Sequence, residues 1–207
     1  AAVVPQALTI RISPAAMLLC FYADGVLYIW SGNINLVHNS GSILSILAVG
    51  SFLNCLSYLP YQLQIAIGCT SQPFKINLFI LILLVILIYR FVPLYGAVGS
   101  AWIWLIINVI YLILMTHFTH KKILSNEKWG WFFFDLFIPT LGVIVIMFLA
   151  KFVQPLMYQS RLSWLFFLIV TMFFAILTSS MLAKKIRKRI LLSFLWCQNS
   201  ARRILPK

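Results

Sequence analysis

The sequence predicts an all-α membrane protein, a polytopic bundle of about six spanning helices. Of its 207 residues, 63% are hydrophobic and only 9% are charged, whereas soluble domains average about 45–50% and about 25%. The mean hydropathy is +1.01. The apolar runs are long and continuous, so the short alternating strands of a membrane barrel are not expected. This composition excludes a soluble enzyme and a disordered chain.

Each predicted span is an apolar run bounded by polar, small or basic residues, and about 20 apolar residues suffice to cross a bilayer core. The first run ends in a polar loop at 31–41, and the second ends in small and polar residues at 68–73. PLYG at 93–96 separates the third run from the fourth. A basic loop at 118–131 precedes the fifth, and a turn around Pro155 precedes the sixth. The predicted spans are 7–30, 42–67, 74–92, 97–117, 132–152 and 161–182.

Basic residues outnumber acidic ones by sixteen to three, which gives a net charge of +13. The basic residues lie between apolar spans, so they indicate topology and contacts with anionic lipid, not nucleic-acid binding. Loops on alternate sides of the membrane carry twelve and three of them, with Arg11 counted apart. The bias predicts a cytoplasmic C-terminus. We expect a bundle over 1–182 and a basic cytoplasmic tail over 183–207.

The second predicted span carries no charge, yet it has a polar face. Asn54, Tyr58 and Gln62 follow at steps of four, and Tyr61 lies three residues after Tyr58, so they share one side of a helix. Pro60 lies within that face and predicts a kink. The face indicates either a wall of a hydrated path through the membrane or polar groups that only bond to neighbouring helices.

Arg11 lies about one turn inside the cytoplasmic end of the first predicted span. Its side chain either extends to the headgroups or faces an aqueous cavity, where a guanidinium suits a phosphate by bidentate hydrogen bonding. Tyr22 lies eleven residues further on the same helical face and is a second candidate for the substrate path.

Asp24 lies near the outer end of the same predicted span. An acid within a span is a candidate for coupling to protons or cations. The sequence ADG at 23–25 also fits a break or a cap in the helix, because glycine favours such positions.

Motifs of catalysis and metal binding are missing from the sequence. It has no GxxxxGK[ST] loop, no paired acids, no CxxC and no long outer loop. His117 and His120 have no third ligand near them in the sequence. We therefore predict neither an enzyme nor a metal site or cofactor, and four free thiols.

Several stretches together resemble the C-terminal region of bacterial O-antigen flippases, over roughly residues 5–140. They are FYADGVLYIWSGN at 21–33, LPYQLQIAIG at 59–68, YGAVGSAWIW at 95–104 and THKKILSNEKWGWFFFD at 119–135. These flippases form the polysaccharide transporter family of a superfamily that also holds multidrug extruders. The resemblance implies a two-lobed bundle with a central cavity. It also implies movement of an undecaprenyl-pyrophosphate-linked sugar repeat unit to the periplasmic leaflet by alternating access.

The sequence thus predicts a flippase of the bacterial inner membrane that serves O-antigen and lipopolysaccharide biosynthesis. The chain starts at Ala1, and we expect it to be the C-terminal lobe with two trailing helices, paired with an N-terminal lobe of the same protein. Expected partners are the lipid-linked oligosaccharide, anionic lipids and other polysaccharide-assembly proteins. The alternatives are a multidrug or cation antiporter of the same superfamily and a membrane enzyme that uses the lipid-linked sugar.

Overall fold

The computed structural model describes residues 3–122, 137–154 and 160–182, with side chains from residue 12 to residue 119 in the first of these ranges. Every regular element in these ranges is helical, which confirms the all-α prediction. The helices are α1 (Val3–Phe21), α2 (Ala23–Ser31), α3 (Ile34–Ala66), α4 (Ser71–Lys122), α5 (Ile138–Ala150) and α6 (Arg161–Leu182), with a 3₁₀ turn at Lys151–Val153.

The first predicted span, 7–30, is divided into two helices, α1 and α2, which together can form one bent span. The chain bends by 82° between α1 and α2, at Tyr22. Tyr22 has φ −127° and ψ 32°, outside the helical range. Its buried hydroxyl donates a hydrogen bond to the carbonyl of Met147 on α5 at 2.6 Å, and its ring packs edge-on against Phe167 on α6. Tertiary packing of this side chain therefore holds the bend, and the break that ADG suggested is present.

The prediction of a loop over 31–41 is wrong, since helix α3 already begins at Ile34. Gly32 ends α2 in a left-handed conformation with φ 65°, and Asn33 caps α3 by accepting a hydrogen bond from the backbone N–H of Asn35 at 3.0 Å. Two residues thus suffice as a connection. At 1.5 Å per residue, the 33 residues of α3 exceed a hydrocarbon core of about 30 Å, so the polar first turns of this helix extend beyond the core.

Helix α4 is broken at Gly96, which has φ 55° and ψ −138°. Hydrogen bonds join Ser51 to Trp104, Asn54 to Asn108 and Gln64 to Thr119, so the part after Gly96 runs parallel to α3. The part before Gly96 starts beside the end of α3, where Thr70 and Ser71 approach Tyr61. The part before Gly96 must therefore run antiparallel to α3 and to the part after Gly96. We name these parts α4a (71–95) and α4b (97–122); they correspond to the third and fourth predicted spans.

By length and apolarity, three helices among the described residues can cross a membrane, or four when α1 and α2 are counted as one bent span. They are α3, α4 and α6, and α4 is long enough for two crossings once it turns at Gly96. Helix α6 has the predicted bounds, 161–182, whereas α5 is shorter than the predicted fifth span, whose first residues lie outside the described ranges. The chain is a multi-pass membrane protein.

The core lies where α1 contacts α3, α5 and α6. Its largest buried apolar side chains are Met17, Tyr22, Phe52, Leu56, Leu112, Val143, Met147, Trp164 and Leu168. The basic tail at 183–207 and residues 123–136 lie outside the described residues, as does the side chain of Arg11. The predicted division into a bundle and a basic tail stays a prediction.

Candidate functional site

A line of polar side chains runs along the C-terminal half of α3. Between residues 51 and 64 the exposed residues are Ser51, Asn54, Tyr58 and Gln62, all of them polar. Their steps of three, four and four residues place them on one side of the helix. We call these four residues the polar stripe. Helix α3 continues through Pro60, which is buried.

Most of the other exposed surface of the described spanning helices is apolar. On α4a the exposed residues between 78 and 88 are all aliphatic or aromatic, as are the largest exposed side chains of α4b and α6, such as Trp102, Ile113 and Phe166. Such surfaces match the hydrocarbon of a bilayer. The polar stripe does not match it, because a polar group in lipid without a hydrogen bond costs free energy. The stripe therefore has to face water or another protein surface.

Packing between helices explains only the first part of the polar stripe. The Nδ2 of Asn54 donates to the Oδ1 of Asn108 on α4b at 2.8 Å, and the indole N–H of Trp104 donates to the hydroxyl of Ser51 at 3.4 Å. Within the described residues, Tyr58 and Gln62 form no hydrogen bond to another helix. Tyr58 is 57% exposed, and its ring stacks on that of Tyr61 at a centroid distance of 6.5 Å.

On another side of α3 lies a buried polar contact that no pattern in the sequence indicates. The Nε2 of Gln64 donates to the hydroxyl of Thr119 at 2.7 Å, and this hydroxyl lies 2.7 Å from the carbonyl of Met115 and 3.3 Å from that of Pro60. Gln64 is 1% exposed. Gln62 and Gln64 are two residues apart, so their side chains lie on different sides of the helix. Only the packing of α4b identifies which of the two glutamines is buried.

A cleft of about 410 Å³ opens where α3 ends and α4a begins. The residues that line it are Tyr61, Ile65, Thr70, Ser71, Pro73, Phe74 and Asn77. Among the sequence candidates only Tyr61 belongs to the cleft, and the stacking of Tyr58 on Tyr61 connects it with the polar stripe. We call this the α3–α4a cleft. Its signal in the sequence is weak, since GCTSQP at 68–73 has the composition of an ordinary turn.

The remaining candidates lie elsewhere. Tyr22 is 2% exposed and belongs to the core beside α5 and α6, apart from the polar stripe. Asp24 is exposed in the first turn of α2, with its carboxylate against Gly41 of α3. Arg11 lies on α1, between its first residue and the bend. Among the described residues, no three His, Cys, Asp or Glu side chains are grouped so that they could hold a metal ion.

Comparison with known proteins gives one partial relative. The chain is 31% identical over 102 residues to a Shigella flexneri protein named "Putative O-antigen transporter". The match covers 49% of this chain and 24% of the relative, so the chain corresponds to about a quarter of that protein's length. No protein-family model matches the chain, and no solved structure matches it. The similarity is therefore to part of one transporter, and it agrees at a coarse level with a membrane transport protein.

Proposed function

We propose that this chain is part of a flippase that moves an undecaprenyl-pyrophosphate-linked O-antigen repeat unit across the bacterial inner membrane. The polar stripe carries the proposal, because it is a hydrophilic surface along a membrane-spanning helix, whereas the exposed surfaces of the neighbouring helices are mainly apolar. The partial similarity to an O-antigen transporter supports the same class of function. The stripe forms one wall of the sugar path, and an N-terminal lobe forms the opposite wall.

In this mechanism the two lobes rock about the path, so that it opens to one side of the membrane at a time. The transported sugars exchange hydrogen bonds with water for hydrogen bonds with Tyr58, Gln62 and the free Oδ1 of Asn54. Arg11 attracts the pyrophosphate through charge-assisted hydrogen bonds. Asp24, which lies exposed at the bend between α1 and α2, is the residue through which an ion gradient is coupled to the movement.

The test removes the polar groups of the stripe without disturbing contacts between helices. Tyr58→Phe keeps the ring stack on Tyr61, and Gln62→Leu keeps the side-chain volume; Asn54 stays, since it bonds to Asn108. In the intact protein in its host, we expect the double variant to lower surface O-antigen about tenfold or more at an unchanged protein level in the membrane. Arg11→Ala is expected to act likewise, and Arg11→Lys to restore part of the loss.

The matched control is Asn39→Leu, which removes an exposed amide from the outer end of the same helix. It should leave O-antigen display intact. Normal O-antigen display by the Tyr58→Phe/Gln62→Leu variant would mean that the polar stripe serves only in packing. Loss of display in the Asn39→Leu control as well would show that the loss is not specific to the polar stripe, and the stripe would then no longer support a path along α3.

A further inference from the structure

The α3–α4a cleft has the size of a small-molecule site. Its volume of about 410 Å³ lies within the range of ligand pockets, about 300–1,000 Å³. It lies at the end of α3 where the apolar run gives way to the polar turn at 68–71, which the charge bias predicts to be the cytoplasmic end. A molecule in the cleft would therefore lie at the level of the lipid headgroups.

The chemistry of the cleft disfavours a phosphate. None of its seven lining residues carries a charge. Arginine and lysine are favoured phosphate ligands, because their charge compensates the charge that is withdrawn from water, and neither residue lines this cleft. A neutral ligand, or the neutral part of a larger ligand, fits this site better.

The polar groups of the cleft are free to bind. Within the described residues, the side chains of Thr70, Ser71 and Asn77 form no hydrogen bond, and all three residues are exposed. Hydroxyl groups both donate and accept, and the amide of Asn77 does so through its two ends. Such a set suits a ligand rich in hydroxyl groups, which also offers donors and acceptors on the same atoms.

Two aromatic rings complete the cleft. Phe74 is 67% exposed, and Tyr61 stacks with Tyr58 at the edge of the polar stripe. An exposed ring supplies a flat apolar face with an electronegative surface, on which the C–H side of a sugar ring can pack while its hydroxyls reach the polar groups. Aromatic faces beside unpaired hydroxyl and amide groups, without charge, are the surroundings that a sugar requires.

We propose that the α3–α4a cleft binds the sugar part of the lipid-linked substrate before it enters the path along the polar stripe. This inference rests on the proposed function and adds a specific entry site for the uncharged sugars, separate from the pyrophosphate. Tyr61 and Phe74 hold the ring by stacking, and Asn77 selects among hydroxyl positions by hydrogen bonding. The pair Tyr58 and Tyr61 passes the sugar from the cleft to the stripe.

The experiment measures binding by the intact protein in lipid nanodiscs with isothermal titration calorimetry. One probe is the free oligosaccharide released by mild acid from the host's own lipid-linked repeat unit; the other is farnesyl pyrophosphate, which carries the lipid and phosphate chemistry without a sugar. We expect Tyr61→Ala/Asn77→Leu to weaken oligosaccharide binding about tenfold or more and to leave farnesyl pyrophosphate binding unchanged. Tyr61→Phe should weaken oligosaccharide binding less than the double variant does, because the aromatic ring remains.

The matched control is Tyr89→Ala, which removes a tyrosine that is 83% exposed on α4a away from the cleft. It should bind both probes as the parent does. Equal oligosaccharide binding by the parent and the double variant would contradict a sugar site in the cleft. Loss of farnesyl pyrophosphate binding instead of oligosaccharide binding would contradict it as well. If the parent exports O-antigen normally and the double variant matches it in both oligosaccharide binding and export, the cleft is not the sugar site and the proposed function stands. If deletion of the protein leaves O-antigen export intact, the proposed function fails first.

Discussion

Gln64 illustrates how single polar residues are accommodated inside this bundle. Its Nε2 is bonded to Thr119, but its Oε1 has no hydrogen-bond partner within the described residues. A buried polar group without a partner costs more than its hydrogen bond would have contributed, so the two ends of this contact are not equivalent. Removing the glutamine removes the unpaired oxygen as well, whereas removing the threonine hydroxyl leaves the amide with only a weak hydrogen bond from its Nε2 to the Sδ of Met115 at 3.8 Å.

We therefore expect Thr119→Val to destabilise the protein more than Gln64→Leu does. The first change should cost about 1–3 kcal/mol and the second less than about 1 kcal/mol. Reversible unfolding of the protein in bicelles, followed by steric trapping, measures both. Equal losses for the two variants, or a larger loss for Gln64→Leu, would contradict this account of the contact.

Helix α2 is an element held in place by close contacts at glycines. A Cβ atom on Gly25 would overlap the indole of Trp164, one on Gly32 the guanidinium of Arg161, and one on Gly41 the carboxylate of Asp24. The first two contacts join α2 to α6, and the third joins it to α3. The sharp bend at Tyr22 thus depends on small residues that allow the helices to approach closely.

Gly25→Ala should loosen α2 from α6, since the added methyl group has no space beside the buried Trp164. Overpacking of this kind costs about 1–3 kcal/mol, and a lowered melting temperature of the detergent-solubilised protein would report it. In a Trp164→Leu background the same alanine should have little effect, because the colliding ring is gone. Additive losses in the double variant would show that the contact is not the cause.

At the scale of the whole molecule, the turn at Gly96 determines how the chain crosses the membrane. Hydrogen bonds between α3 and α4b join residues in the same order along both helices, so these two segments run in parallel. A parallel pair requires a return segment between them, and α4a is that segment. Its exposed apolar surface, including Ile82, Val85 and Ile86, then faces lipid or another apolar protein surface.

This topology predicts which positions share a side of the membrane. In a variant whose four cysteines are replaced by serine, Asn35→Cys and Leu94→Cys should both react with a membrane-impermeant maleimide in spheroplasts. Ala66→Cys, at the last residue of α3, should react only after the membrane is opened. Labelling of the Leu94→Cys variant only under the conditions that label the Ala66→Cys variant would mean that α4a does not cross the membrane between these two positions.

The sequence by itself determined the class of protein, the number of apolar segments and their approximate bounds. Burying apolar residues in lipid requires long, uncharged runs and fully bonded helices, and both requirements are visible in the residue order. The sixth span was predicted to begin near residue 161, and helix α6 begins at Arg161; PLYG correctly located the turn near Gly96. The polar face around Asn54, Tyr58 and Gln62 also followed from helical spacing.

Only the tertiary structure decided which polar residues are paired and which stay exposed. Helical spacing places Asn54 and Tyr58 on one face. The hydrogen-bond partner of Asn54, Asn108, lies 54 residues further along the chain, and no local pattern predicts this contact. The bend at Tyr22 depends likewise on Met147 and Phe167, and the α3–α4a cleft exists because α4a starts beside the end of α3. The physical reason is the same in each case: local sequence fixes helix formation and amphipathicity, whereas close packing and hydrogen bonding between distant segments select one arrangement of those helices.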